Sequence, residues 1–299
     1  MLDKRVYINS IAGISPSMAA KGFPNVGEPD YKEYVPDPGA RRRMSRIIRM
    51  GVASALICLK ESHISSLEGI ITGTGWGCLS DTEKFLNSIF ENSERMLNPT
   101  SFIQSTSNTI GAQVALLTGE KNYNNTFVHG GTSFEAAMID ALLKLQEDSC
   151  KNILVGGLDE MTPTKSHLLG RMGVWRYTSP GEGSHFFVLS SVLEKSSIAE
   201  IVTVETFSRD GLPAGYSLVD KHIDKVFSGV ENNGGLMTDS KVPVVNFKEL
   251  CGEYPTSTAF ALWLACDTFN KDHAVNNILI VNKHLRDNLS LVLVKRAVL

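Results

Sequence analysis

Residues 126–137 read TFVHGGTSFEAA, and the interpretation of the whole sequence depends on this short stretch. A run typical of a strand leads through His129, Gly130 and Gly131 into Thr132 and Ser133, where a helical pattern begins. A turn of this kind can present a nucleophile or bind an anion. It contains no cysteine, so three interpretations stay open: an active site without its reacting atom, a phosphate-binding turn, or a tight glycine turn.

Nucleotide binding is the weakest of the three. The sequence has no Gly-x-x-x-x-Gly-Lys-Ser/Thr motif. A second glycine-rich turn, GTGWG at 73–77, lacks the Gly-x-Gly-x-x-Gly spacing of dinucleotide-binding proteins. We therefore expect no nucleotide cofactor, and no other cofactor is predicted.

The amino-acid composition indicates which binding partners and which cellular compartment to expect. The chain has 299 residues, 42% of them hydrophobic, and a net charge of −3, which gives no electrostatic reason to expect nucleic acid or an anionic membrane. Its five cysteines are widely spaced and form no Cys-x-x-Cys or Cys/His cluster, so neither disulfides nor a metal site is expected. The N-terminal residues lack an apolar signal region, which favours a cytoplasmic protein.

Apolar periodicity predicts alternating strands and helices. Strands are expected at 5–11, 67–74, 126–128, 152–155, 185–189, 201–208 and 242–246, with a closing hairpin at 277–281 and 289–295. Helices are expected at 41–62, 81–92, 108–118, 133–146 and 256–268, and a helix followed by a strand at 218–227. This alternation predicts an α/β protein in which helices cover a buried sheet.

An ordered series of short segments resembles the β-ketoacyl synthase family. The series comprises VYINSIAGISP at 6–16, LEGIITGTGWG at 67–77, Asn98-Pro99 with Phe102 and Asn108, the turn at 129–133, NILVGGLDE at 152–160 and GEG at 181–183. The resemblance implies a thiolase-like, layered αβαβα arrangement of two related halves, with the second half shortened. The expected halves are residues 1–200 and 201–299, together forming one compact unit.

In that family a cysteine at the strand-to-helix turn accepts an acyl group, and two histidines assist decarboxylation of the malonyl partner. The resemblance places Gly131 at the nucleophile position, Gly229 at the first histidine and Glu253 at the second, while the family's lysine is retained as Lys248. The family's Gly-Phe-Gly-Gly-Thr-Asn loop corresponds to KHLRDN at 283–288, where only Asn288 is kept. Four departures agree, so we expect no condensation activity.

The resemblance also suggests residues that line a pocket and residues that form an interface. The expected pocket-lining residues are Phe102, Asn108, His129, Thr132, Ser133 and Asn288. The strand Thr126, Phe127 and Val128, with the segment 98–110, is the expected dimer interface, because a strand edge left unpaired invites a second strand. Cys251, near the second histidine position, is expected to be a buried structural residue.

With its catalytic positions replaced, this sequence resembles the chain-length factors, which are the inactive partners of ketosynthases in polyketide assembly. Those proteins place glutamine where this sequence has Gly131, so the match is incomplete. The sequence predicts a non-catalytic partner of an active β-ketoacyl synthase, or of a second copy of itself, with acyl carrier protein as a further partner. The alternatives are an acyl hydrolase or transferase that uses His129, Ser133 or Glu253, and a homodimeric acyl- or carrier-binding scaffold.

Overall fold

Ten strands of the computed structural model form one mixed sheet surrounded by nine helices, within the described residues 4–15, 27–207, 212, 222–230, 241–285 and 288–298. The strands are β1 Val6–Ile14, β2 Gly69–Gly73, β3 Tyr123–Phe127, β4 Asn152–Asp159, β5 Gly183–Ser190, β6 Ala199–Phe207, β7 Lys225–Ser228, β8 Val244–Asn246, β9 Asn277–Lys283 and β10 Leu289–Arg296. The helices are α1 Pro38–Arg43, α2 Arg46–Ser62, α3 Leu79–Glu91, α4 Pro99–Ser105, α5 Thr109–Thr118, α6 Ser133–Lys144, α7 Pro163–Arg171, α8 Lys248–Cys251 and α9 Ser257–Lys271.

The sheet consists of two halves with the same strand arrangement. From the outer edge inward, the first half runs β3-β2-β4-β5-β1 and the second β8-β7-β9-β10-β6. In each half the first two pairings are parallel and the next two are antiparallel. The halves meet where β1 pairs with β6 over only three residues, Val6–Ile8 against Ala199–Ile201. The predicted α/β class, with its two related halves, is confirmed; the division at residue 200 stays a prediction.

Helices α6 and α9 occupy equivalent places in the two halves, and they pack together in the centre. A continuous apolar core surrounds them, and it includes Phe134, Phe187, Phe260 and Ile280 from both halves. A second cluster lies under α2 on the other face of the first half, and a third covers the other face of the second half. Because the sheet is covered on both faces, its inner strands are mainly apolar.

Strand β4 is twice as long as predicted. We expected it to end at Gly156-Gly157, but it continues through both glycines to Asp159. A side chain at either position would collide with an aromatic ring: a Cβ on Gly156 would lie 2.2 Å from the Phe186 ring, and one on Gly157 would lie 2.7 Å from Phe134. The glycines therefore allow close packing inside a strand.

Strand β3 lies three residues earlier than predicted at its start and ends before Val128. It pairs in parallel register with β2 from Gly69↔Tyr123 to Gly73↔Phe127. Asn124 and Asn125, which disfavour strands, obscured this segment in the sequence. Asn124 is accommodated because its amide donates to the Gly111 carbonyl of α5 at 3.0 Å.

Two further differences concern helices. Helix α7 was not predicted, although its start is marked by Thr162, whose hydroxyl caps the helix, and by Pro163 at the first turn. The helix expected at the start of 218–227 lies outside the described residues, and only the strand part is described, as β7. Within the residues that the structure describes, no helix is long and apolar enough to cross a membrane.

Candidate functional site

The turn between β3 and α6 is held by the hydroxyl of Ser133. After β3, Gly130 has a φ of 61°, which favours glycine, and a 3₁₀ turn over Gly130–Thr132 leads into α6. Ser133 Oγ accepts from the backbone N–H of His129 at 2.8 Å and donates to the Gly130 carbonyl at 2.7 Å. Gly131 is buried at the centre of this turn. The expected nucleophile position is thus enclosed by backbone and carries no reactive atom.

His129 and Ser133 differ in their exposure and in their contacts. His129 is exposed, and its ring contacts the edge of Phe127 with centroids 5.7 Å apart. Ser133 is fully buried and its hydroxyl bonds to backbone groups on both sides. The geometry gives no support to a Ser133–His129 dyad, because the serine hydroxyl is already engaged in stabilising the turn.

The second part of the candidate site is a buried ionic cluster formed by Lys248, Glu253 and His284. Glu253 accepts from Lys248 Nζ at 2.7 Å through one oxygen and lies 2.7 Å from His284 Nδ1 through the other. Lys248 Nζ also donates to the Lys283 carbonyl at 2.8 Å. All three side chains of the cluster are less than one-tenth exposed. Two cationic or donor groups therefore share one carboxylate.

The protonation of Glu253 follows from these contacts. Burial alone raises the pKa of the carboxyl, but the neighbouring Lys248 ammonium and His284 ring outweigh it and bring the pKa below its usual value. Glu253 is therefore an anion at neutral pH. The bond to Nδ1 fixes the His284 ring and leaves Nε2 as its remaining nitrogen.

Gly229, which the resemblance places at the first histidine position, is packed too closely to carry a side chain. A Cβ there would lie 2.5 Å from Asn282 Oδ1, 2.7 Å from the Phe247 ring and 2.8 Å from Lys248 Cε. Gly229 borders a cleft of about 770 Å³, which also has Tyr177, Val244, Asn246, Lys248 and Glu253 on its walls. Lys248 and Glu253 of the ionic cluster therefore form part of the wall of this cleft.

A buried aspartate connects the segments around the site. Asp159, at the end of β4, accepts from Thr74 Oγ1 at 2.8 Å and from the N–H groups of Gly75 and Trp76 at 2.9 and 2.8 Å. Its other oxygen accepts from the N–H and hydroxyl of Thr256 at 3.1 and 2.8 Å. The same glycine turn places the Trp76 ring 6.0 Å from His284. Asp159 thus ties the first half to the start of α9.

The predicted site residues do not come together at one place. Lys248, Gly229 and Glu253 meet at the cleft, whereas Gly131, Thr132 and Ser133 form the buried turn. Phe102 is exposed on α4 and packs on Phe85, and Asn108 and Thr126 line a separate cavity of about 550 Å³ between α5 and β3. Asn288 is exposed just before β10.

Sequence reasoning missed His284 and Asp159 as site residues. The available signal for His284 was a histidine at the family's phenylalanine position in the loop 283–288. Cys251 lies in the core as expected, and burial raises the pKa of its thiol. Across the described part of the chain, no group of His, Cys, Asp and Glu side chains is arranged to hold a metal ion.

Comparisons with known proteins agree on the fold. Residues 28–169 match the family model described as beta-ketoacyl synthase, N-terminal domain. A search of curated proteins finds no match. Among solved structures, the complex of AntDE with AntF, described as a type II PKS acyl-carrier protein with its ketosynthase bound to the hexaketide, matches with a TM-score of 0.80 at 15% identity, covering 98% of this chain and 100% of that chain.

Two further structures are paired ketosynthases. The ishigamide ketosynthase/chain length factor matches with a TM-score of 0.78 at 14% identity, over 98% of this chain and 100% of that chain. The ketosynthase ApeO in complex with its chain length factor ApeC, from Xenorhabdus doucetiae, matches with a TM-score of 0.72 at 12% identity, over 98% of each chain. The chain therefore has the thiolase-like fold of these ketosynthase structures, and residues 28–169 are similar to the N-terminal domain of β-ketoacyl synthases.

Proposed function

We propose that the chain is a non-catalytic, chain-length-factor-like subunit that pairs with an active β-ketoacyl synthase in fatty-acid or polyketide-type biosynthesis. The observation that carries this proposal is that the expected catalytic positions hold no catalytic side chains. Gly131 offers no nucleophile, and the expected histidine positions hold the closely packed Gly229 and the ion-paired Glu253. A condensing enzyme needs a thiolate and proton-transferring groups at these points, so this arrangement favours a structural role.

The edge of the sheet supports pairing. β3 is the outermost strand of the first half, and an edge strand presents N–H and C=O groups to another chain. Large apolar side chains are exposed on α4, on α5 and just after β3: Phe102, Ile103, Leu116, Leu117 and Val128. Exposed apolar groups gathered beside an open strand edge are typical of a surface that a partner covers.

The partner is inferred from the matched structures. Two of them are described as a ketosynthase with its chain length factor, and another as a ketosynthase with an acyl-carrier protein. We therefore expect a ketosynthase subunit as the first partner and an acyl carrier protein as a further one, with self-pairing as the competing arrangement. A cytoplasmic location and the absence of a cofactor stay predictions.

Co-expression tests the proposal. The tagged chain is produced alone and together with each β-ketoacyl synthase encoded in the same genome, and native mass spectrometry measures the assemblies. We expect a one-to-one complex with a ketosynthase, and condensation activity only in that complex. A chain that forms condensed product by itself, or that assembles with none of the ketosynthases, would contradict the proposal.

A hydrolase is the second candidate, and one observation favours it. The Glu253–His284 pair resembles the carboxylate and imidazole of a general-base site, and it lies beside the cleft. If this pair activates water, the purified chain should hydrolyse acyl thioesters, and Glu253→Gln should abolish the activity. Absence of turnover with thioesters of several chain lengths would eliminate this candidate.

A further inference from the structure

Helices α3 and α4 form a hairpin on the surface of the first half, and we call residues 79–105 the α3–α4 hairpin. The two helices pack on each other through Phe85 and Phe102, whose ring centroids are 5.2 Å apart. Within α3, whose residues are all described, only Asp81 is buried, and it is 3% exposed. Helix α3 is therefore held on the protein by its first turn rather than by an apolar face.

The residue that faces this first turn is Glu160, directly after β4. Glu160 Oε1 accepts from the Ser80 N–H at 2.8 Å. Glu160 is as buried as Asp81, the next residue of the turn, and Asp81 Oδ2 is enclosed without a hydrogen-bond partner. Thr162 Oγ1 donates to Glu83 at 2.6 Å and adds a second contact between the same segment and α3. Two buried carboxyls are thus neighbours at the point where α3 is attached.

The cation that Glu160 faces is Arg46 of α2, and this cation is already paired. Its guanidinium bonds to both carboxylate oxygens of Glu182 at 2.7 and 2.9 Å and also to Glu28. Burial, with the Asp81 and Glu182 carboxylates, raises the pKa of Glu160 to about 7, although Arg46 and the hydrogen bond from α3 act in the opposite direction. At neutral pH the Glu160 carboxyl therefore keeps its proton in about half of the molecules.

Cys78, the N-cap residue of α3, is a further titratable neighbour. Burial, with Asp81 and Glu160, raises the pKa of its thiol, so the thiol is neutral and adds no charge. Among the described residues, these side chains are not arranged to hold a metal ion. A proton is therefore the species that compensates the two carboxyls, and it supplies the donor that Asp81 Oδ2 lacks.

We propose that Asp81 and Glu160 share one proton and form a pH-sensitive latch, which holds the first turn of α3 closed at low pH and lets it open more often as the pH rises. In the closed latch the O–H of Glu160 donates to Asp81 Oδ2. When this proton is lost, two carboxylates repel each other in a buried place, whereas opening exposes both to water.

The latch also bears on pairing. Phe102 and Ile103 of α4 belong to the exposed apolar surface beside β3, and Phe102 packs on Phe85 of α3. Opening of α3 therefore disturbs the surface that we propose for the partner. This consequence rests on the proposed function, but the latch itself is a property of the isolated chain and is tested there.

Hydrogen exchange measured by mass spectrometry tests the latch at about pH 6 and about pH 8. After correction for the intrinsic pH dependence of exchange, wild-type amides at 79–91 should exchange about tenfold faster at the higher pH, because opening returns the Glu160 pKa to its usual value. Glu160→Gln keeps a donor for Asp81 and removes the titration, so its exchange at 79–91 should differ by less than about twofold. Asp81→Asn, which removes only the neighbouring charge, should give an intermediate dependence.

Glu91→Gln is the matched control, because Glu91 is exposed at the end of the same helix and should keep the wild-type dependence. Helix α9 should be more protected than α3 at both pH values, since a local opening costs less than global unfolding. Equal protection of α3 and α9, or the same pH dependence in wild type and Glu160→Gln, would overturn the proposal. Slower exchange of α3 on addition of calcium chloride at about pH 8 would overturn it in favour of a bound cation.

Discussion

The ammonium of Lys248 lies 2.7 Å from Oε2 of Glu253, and each side chain is only 7% exposed. The resemblance places Glu253 where the family has a histidine and keeps the lysine. Here the two residues neutralise each other, and the second carboxylate oxygen bonds to His284. The charges of the buried cluster therefore compensate one another. The contribution of the cluster can be measured as a change in the free energy of unfolding.

Lys248→Met tests the cluster. Removing one partner of a buried ion pair leaves the other charge uncompensated, so we expect a loss of about 3 kcal/mol in the free energy of unfolding, measured by urea denaturation. Lys271→Met is the control, because Lys271 pairs with Asp267 at 2.8 Å but is 74% exposed, and an exposed pair contributes less than about 1 kcal/mol. Equal effects would show that the buried pair has no special importance.

Glu160 is expected to make the folded state less stable as the pH rises. A carboxylate in an ordinary salt bridge has the opposite effect. Burial, with the neighbouring Asp81 and Glu182 carboxylates, raises the pKa of Glu160 from 4.5 to about 7. The folded state therefore binds more protons than the unfolded state between these two values, and stability falls as pH rises through this window. Glu160→Gln, which imitates the protonated form, should flatten this decline.

The size of the effect can be estimated. At about pH 8.5 the variant should be more stable than wild type by about 2–3 kcal/mol, and at about pH 5 the two should be similar. Urea denaturation across this range measures it. Glu194→Gln, at an exposed position, is the control and should leave the profile unchanged. A wild-type profile without any decline above pH 5 would contradict the assignment.

Gly229→Ala tests whether the first histidine position can accept a side chain. The added Cβ would meet Asn282, Phe247 and Lys248 at less than 3 Å, so we expect a loss of about 1–3 kcal/mol in thermal unfolding. Gly27→Ala is the matched control, because nothing lies within 4 Å of its Cβ position. A neutral Gly229→Ala would mean that the site can rearrange to hold a larger residue.

Restoring the nucleophile should not restore the chemistry. In Gly131→Cys the Gly229 and Glu253 positions still lack the family's histidines, so we expect no condensed product from acyl and malonyl carrier-protein thioesters. Mass spectrometry of protein and products measures this. In the wild-type chain Cys78 and Cys251 should stay unmodified, since both are buried and burial raises their thiol pKa. Condensed product from the single variant would refute catalytic silence.

Val128→Asp with Ile103→Asp tests pairing through the β3 edge. Both side chains are largely exposed, at 47% and 63%, so charges there should prevent assembly without unfolding the chain. Phe127 is less suitable, because it is half-buried and packs against the central core. Native mass spectrometry and circular dichroism measure assembly and fold. Val192→Asp, at another exposed apolar position, should pair normally.

The sequence by itself determined what depends on local periodicity and on single positions. Strand and helix alternation and the turn with Gly131 are both visible in residue order, because each depends on neighbours a few residues apart. Even here the local rules failed where packing decided: β4 continues through Gly156 and Gly157 because the Phe186 and Phe134 rings fill the space beside them.

Only the tertiary structure decided which distant residues form the site. His284 reaches Glu253 across 31 residues, and Asp159 bonds to Thr256 across 97. These contacts follow from the order of strands in the sheet, which brings the ends of β4 and β9 to the start of α9, and no local pattern encodes that order. The sequence predicted Glu253 at a histidine position of the family. Only the fold decided that Lys248 and His284 hold it as a buried anion, because long-range packing sets its electrostatic surroundings.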